Sequence, residues 1–74
     1  MEESLGTIVQ RHRKKSGLSR ERLGEIAGVG KTVIYDIEHG KTTVRFNTVK
    51  KVLDALNIRV RYISPLEESA DEKG

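Results

Sequence analysis

Lys31 and Thr32 are followed one helical turn later by Tyr35 and Asp36, and a further turn on by His39. On a helical wheel these five occupy one arc, while Val33, Ile34 and Ile37 occupy the other. A helix so divided has an apolar back to bury and a front that offers hydrogen-bond donors and acceptors together. That mixture suits the edges of base pairs: lysine donates to guanine O6 and N7, and threonine bonds either base type or sets its methyl against thymine. The DNA major groove admits such a helix, whose N-terminal residues are the ones that meet base edges. Asp36 has two roles open to it. Its carboxylate can accept from cytosine N4, or, because it repels phosphates, it can pair with Lys31 or with a cation of the first helix.

Other chemistries fare worse. Gly28-Val29-Gly30-Lys31-Thr32 invites comparison with a phosphate-binding loop, but such a loop requires a glycine where this chain has Glu25; Gly24 stands one residue too early, and no strand precedes it. The outward faces carry no carboxylate pair, metal cluster or nucleophile with its base, so no catalysis, metal or cofactor is expected. The absence of cysteine excludes disulfides and Cys-based zinc sites. Nothing resembles a signal peptide or a membrane span, so a soluble, cytoplasmic protein with no membrane partner is expected. A chain of 74 residues makes one small domain with little core to spare, and oligomerisation is one way to add stability. The net charge of +3 and pI of about 9.5 suit a polyanionic partner but are common among small proteins. With 4% aromatic residues the chain has few platforms for stacking unpaired bases, which favours duplex DNA over single strands.

The elements that must carry the polar arc follow from periodicity and caps. Leu5, Ile8, Val9 and His12 share one arc, so a first helix is expected from Ser4, a candidate cap, to about Ser16, ended by Gly17. Its cationic run, Arg11 to Lys15, serves either as a solvated face that complements the helix dipole or as a phosphate contact. Ser19 stands ahead of Leu23, Ile26 and Ala27 and should cap a short second helix. Gly28-Val29-Gly30 breaks that pattern, and the third helix runs from there to Gly40. After a loop from Lys41 to Arg45, a fourth helix presents Phe46, Val49, Val52, Leu53 and Leu56 as an apolar face, with Asn47, Lys50, Lys51 and Asp54 opposite.

Leu18-Ser19, Leu23, Ala27-Gly28-Val29, Ile34, Ile37-Glu38 and Gly40-Lys41 together resemble the lambda-repressor-like helix-turn-helix family, the XRE or Cro/cI type. The resemblance runs through Leu56 and implies a mainly α fold: a compact bundle of four or five helices that binds operator DNA, in a protein of bacterial or phage origin associated with the nucleoid. It places Lys31, Thr32 and Asp36 at base-reading positions, with Tyr35 between them. It makes Lys41, Thr42, Thr43, Arg45 and Asn47 backbone contacts, which set register without reading sequence. It also sets Arg13 beside Glu38 as a structural ion pair joining helix 1 to the end of helix 3. Arg20 stands where the family often has a glutamine that braces the recognition helix and touches the DNA backbone. An arginine there can reach a phosphate or a guanine edge through two parallel hydrogen bonds, or pair with a nearby glutamate, but it cannot accept a hydrogen bond. His12 replaces the usual leucine and reads as a core histidine bonded at its rim. Val44 replaces a common proline and should leave the loop less rigid.

Asn57 to Ser64 departs from the helical pattern. β-Branched and aromatic residues alternate with arginines until Ile63, and Pro65 closes the run, which predicts a strand with Ile58, Val60 and Tyr62 facing inward. No second strand pattern exists in the chain. Either the strand pairs with its copy across a two-fold axis, or it is an extended edge packed on its own bundle. The first arrangement resembles HipB-type antitoxins. The expected organisation is therefore a DNA-binding domain over 1–57, a dimerisation strand over 58–64 and a disordered acidic tail over 65–74. The function expected is that of a homodimeric repressor of double-stranded DNA acting on a palindromic operator. The alternative is an antitoxin that neutralises a toxin protein and autoregulates its operon.

Overall fold

The computed structural model describes residues 3–61 and residue 64. Four helices follow in order: α1 (Leu5–Lys15), α2 (Arg20–Ala27), α3 (Lys31–Glu38) and α4 (Phe46–Ala55). Ser4 and Ser19 are both N-caps, and their hydroxyls accept from the backbone N–H groups of Thr7 at 3.2 Å and Arg22 at 3.0 Å. Each satisfies one of the donors a helix leaves open at its start.

The four helices stop in the same way. Gly17, Gly28, Gly40 and Asn57 all have left-handed backbone, and the residue after each donates back into the last helical turn. Behind Asn57, at φ 60°, the Ile58 N–H donates to the Leu53 carbonyl at 2.8 Å and the Asn57 N–H to that of Asp54 at 3.0 Å. This is the paired return bond of a Schellman cap, with asparagine in the place glycine takes elsewhere.

α3 packs against α1 and α2, and α2 against α4. Their shared core holds Val9, Leu23, Ile34, Ile37, Val52, Leu53 and Leu56, one or more from every helix. Two glycines set how closely the helices approach. A Cβ on Gly24 would lie 2.6 Å from the Val29 carbonyl oxygen, so the turn between α2 and α3 folds directly onto α2. A Cβ on Gly6 would lie 2.6 Å from the carbonyl oxygens of both Ile37 and Glu38, so α1 presses on the end of α3 through bare backbone. Neither contact leaves room for a methyl group.

Two apolar positions depart from the wheel. Leu5 and Phe46, assigned to the core-facing arcs of helices 1 and 4, are 44% and 56% exposed. Both are the first residues of their helices and overhang the end of the core, where periodicity gives a direction but not a depth. Ile58 packs against the core and belongs to the bundle, although the sequence placed it beyond the domain boundary. From Ile58 to Arg61 the backbone has no regular secondary structure. The remainder of the expected strand, with Tyr62, and the expected tail lie outside the described residues, except for Ser64.

Candidate nucleic-acid interface

Ile34 and Ile37 bury the back of α3, which turns Lys31, Thr32 and Tyr35 outward and leaves them exposed. Among the described residues Lys31 and Thr32 have no side-chain hydrogen bond or ion pair, so both are open to an outside partner. With Arg20 and Tyr35 they line a shallow groove of about 340 Å³. Asp36 is half-buried, and its carboxylate takes Lys41 Nζ at 3.5 Å. Neither Lys31 nor an α1 cation is its partner in this structure. The Lys41 ammonium comes from the loop after α3, a neighbour that a helical wheel of α3 cannot show.

The floor of the site is ionic. Arg13 Nε donates to Glu38 Oε2 at 2.6 Å and its Nη2 to Oε1 at 3.3 Å, while Nη1 donates to the Leu18 carbonyl at 2.9 Å. Arg20 Nε donates to Glu38 Oε1 at 3.0 Å. The Glu38 side chain is fully buried, with Arg13 9% and Arg20 35% exposed. One carboxylate therefore ties the last turn of α3 to α1 and to the first residue of α2, and Arg13 extends the link to the loop before α2. A buried carboxylate so surrounded keeps its acceptors satisfied. The basic run of α1 divides accordingly: Arg13 turns inward, Arg11 pairs with Glu3, and Lys14 and Lys15 remain exposed.

Arg20 also lies 5.3 Å from the centroid of the Tyr35 ring. The His39 ring stacks on Tyr35 with centroids 3.8 Å apart and planes within 17°, while His39 Nδ1 is 2.8 Å from the Tyr35 carbonyl oxygen. In α1, His12 is partly buried and bonds the Ile8 carbonyl at 2.8 Å. No group of His, Cys, Asp or Glu among the described residues could hold a metal ion.

Beyond α3, Lys41, Thr42, Thr43, Arg45 and Asn47 are all exposed, and Val44 packs against the core. An apolar anchor at mid-loop thus presents polar neighbours to solvent on both sides. Adjoining this loop at Val44, Leu5, Phe46, Ile58 and Val60 border an open apolar groove of about 440 Å³. Ile58 is half-buried there and Val60 exposed, while Tyr62 lies outside the described residues. Arg20 takes the alternative of pairing with a glutamate, and three features of the site escaped sequence reasoning: that this glutamate is the Glu38 already held by Arg13, the Lys41 partner of Asp36, and the bare contact at Gly6. Each joins residues remote in the chain or on different elements, so no local pattern signals it.

A helix-turn-helix family model matches residues 9–63. Over 63 residues the chain is 35% identical to an uncharacterized HTH-type transcriptional regulator, y4mF, of Sinorhizobium fredii (strain NBRC 101917 / NGR234), a match covering 85% of this chain and 83% of that protein. Among solved structures it is similar to a SinR protein/SinI protein complex, with a TM-score of 0.66 and 25% identity, covering 93% of this chain and 77% of that one. No helix among the described residues is long and apolar enough to cross a membrane.

Proposed function

This chain belongs to the helix-turn-helix family of transcriptional regulators, and on that premise we propose that it is a homodimeric repressor that reads a palindromic operator in double-stranded DNA. The observation that carries this reading is the exposed set Lys31, Thr32 and Tyr35 on the first two turns of a helix whose back is buried. In this assignment Lys31 and Thr32 meet base edges, Tyr35 follows one turn later, and Asp36 accepts from a cytosine while its bond to Lys41 holds it. Lys41, Thr42, Thr43, Arg45 and Asn47 grip phosphates on one flank, and the free edge of Arg20 lies nearest them on the other. Ile58, Val60 and Tyr62 belong to the dimer contact, which sets two recognition helices about one helical turn apart.

Selection of bound duplexes from a random pool tests this reading. Enrichment of a two-fold symmetric site, with half-site centres about 10 base pairs apart, is the expected result. A pool that stays random after repeated rounds at moderate salt would contradict it.

The second reading, an antitoxin that also binds a toxin protein, draws on two observations. A similar solved structure is a SinR protein/SinI protein complex, and this chain exposes Leu5, Phe46 and Val60 around an apolar groove. Purification from the native host at endogenous level separates the two: a stoichiometric second protein supports the antitoxin, and the homodimer alone supports the repressor.

A further inference from the structure

Among the described residues, Arg20 is the cation of the recognition surface that the protein already uses twice. Its Nε is 3.0 Å from a buried Glu38 oxygen, and its guanidinium stands 5.3 Å from the centroid of the Tyr35 ring. Glu38 cannot follow Arg20 outward, because its other oxygen is held at 2.6 Å by Arg13, which is itself bonded to the Leu18 carbonyl. The planar fork of an arginine can meet a carboxylate and an aromatic face together, which the point charge of a lysine cannot. Arg20 shares its groove with Lys31 and Thr32, one turn before Tyr35, whereas His39 lies one turn after it. The Tyr35 ring is therefore met by Arg20 from α2 and by the His39 ring at the end of α3, while its side chain stays half-exposed.

We infer that Arg20 is a positioning residue for specificity: anchored on Glu38, it fixes the Tyr35 ring so that tyrosine discriminates one operator position, rather than serving chiefly as a phosphate contact. A ring held in one rotamer before binding loses less freedom on contact and tolerates fewer bases than one free to turn. This inference rests on the DNA-binding reading for its consequence, though the brace itself exists in the free protein.

Three variants of the full chain, Arg20→Lys, Arg20→Met and Tyr35→Leu, test it with two measurements. In the free protein, the Tyr35 and His39 ring resonances shift in both Arg20→Lys and Arg20→Met and stay in place in an Arg45→Ala control. In duplex selection, Arg20→Lys and Arg20→Met lose preference several-fold at the same operator position as Tyr35→Leu, and Arg20→Lys does so with the salt dependence of binding unchanged. The inference is overturned if Arg20→Lys keeps the wild-type preference while Arg20→Met weakens every duplex alike and lowers the salt slope by about one, the behaviour of a phosphate contact. Ring resonances that do not move in either variant overturn the brace whatever the DNA results. A wild-type protein that discriminates no duplex ends the specificity role together with the DNA reading, and the ring shifts then report on the brace alone.

Discussion

Two kinds of cation meet at the candidate interface, and the difference between them sets what each substitution should do. Lys31 is exposed and without an ion pair among the described residues, whereas Arg13 is buried against Glu38. Lys31→Ala is expected to relax base preference at one operator position and cost about 1–3 kcal/mol of binding, whereas Arg45→Ala should weaken all sequences alike. Selections on both variants check this; an unchanged preferred site for Lys31→Ala counts against its role. Glu38→Ala leaves Arg13 buried with no carboxylate and should cost about 3–5 kcal/mol of stability, read by urea unfolding. A loss below ~1 kcal/mol would mean that water reaches Arg13 readily. Some of this could be read from residue types: Lys31 and Thr32 open a helix and have only one plausible side to face. Pairing of Arg20 with a glutamate was one of the roles its position allowed, but which glutamate was not legible, since Glu38 stands eighteen residues away on another helix.

The helices were the most legible level, for a local reason. Ser4 and Ser19 cap from their own side chains, and Gly17, Gly28 and Gly40 take left-handed backbone where each helical pattern stops, so both ends are written within a few residues. Asn57 performs the same office as those glycines but reads as the start of a strand, because an asparagine among β-branched neighbours carries no unique signal. How closely helices approach is a property of pairs and is invisible in any one segment. Gly6 shows this: nothing in α1 alone says that a methyl group there would meet the Ile37 and Glu38 carbonyls. Gly6→Ala should destabilise the fold by about 1–3 kcal/mol through overpacking, although alanine is the better helix former. An equal or higher melting temperature for Gly6→Ala would show that α1 can back away from α3 without loss.

At the scale of the molecule, the helices and core of the described residues lie within residues 5–58, and the proposed association falls to the segment that follows. Ile58 caps α4 and packs on the core, so a deletion that removes it would damage the fold as well as the proposed dimer contact. Truncation after Arg59 avoids that and is expected to yield a folded monomer with weakened operator binding; sedimentation showing an intact dimer would remove the C-terminal segment from the association. Association was the least legible level because a lone strand pattern names no partner, and two of its expected residues fall outside the described part of the chain. In the proposed function, DNA binds on the outward face of α3 and the loop after it. Titrating the isotopically labelled protein with its selected duplex tests this most directly. Amide resonances of residues 31–36 and 41–47 should move together and saturate with one duplex per dimer, while those of Leu5, Ile8 and Val60 along the apolar groove stay in place. Shifts confined to that apolar groove, with residues 31–36 unmoved, would contradict it.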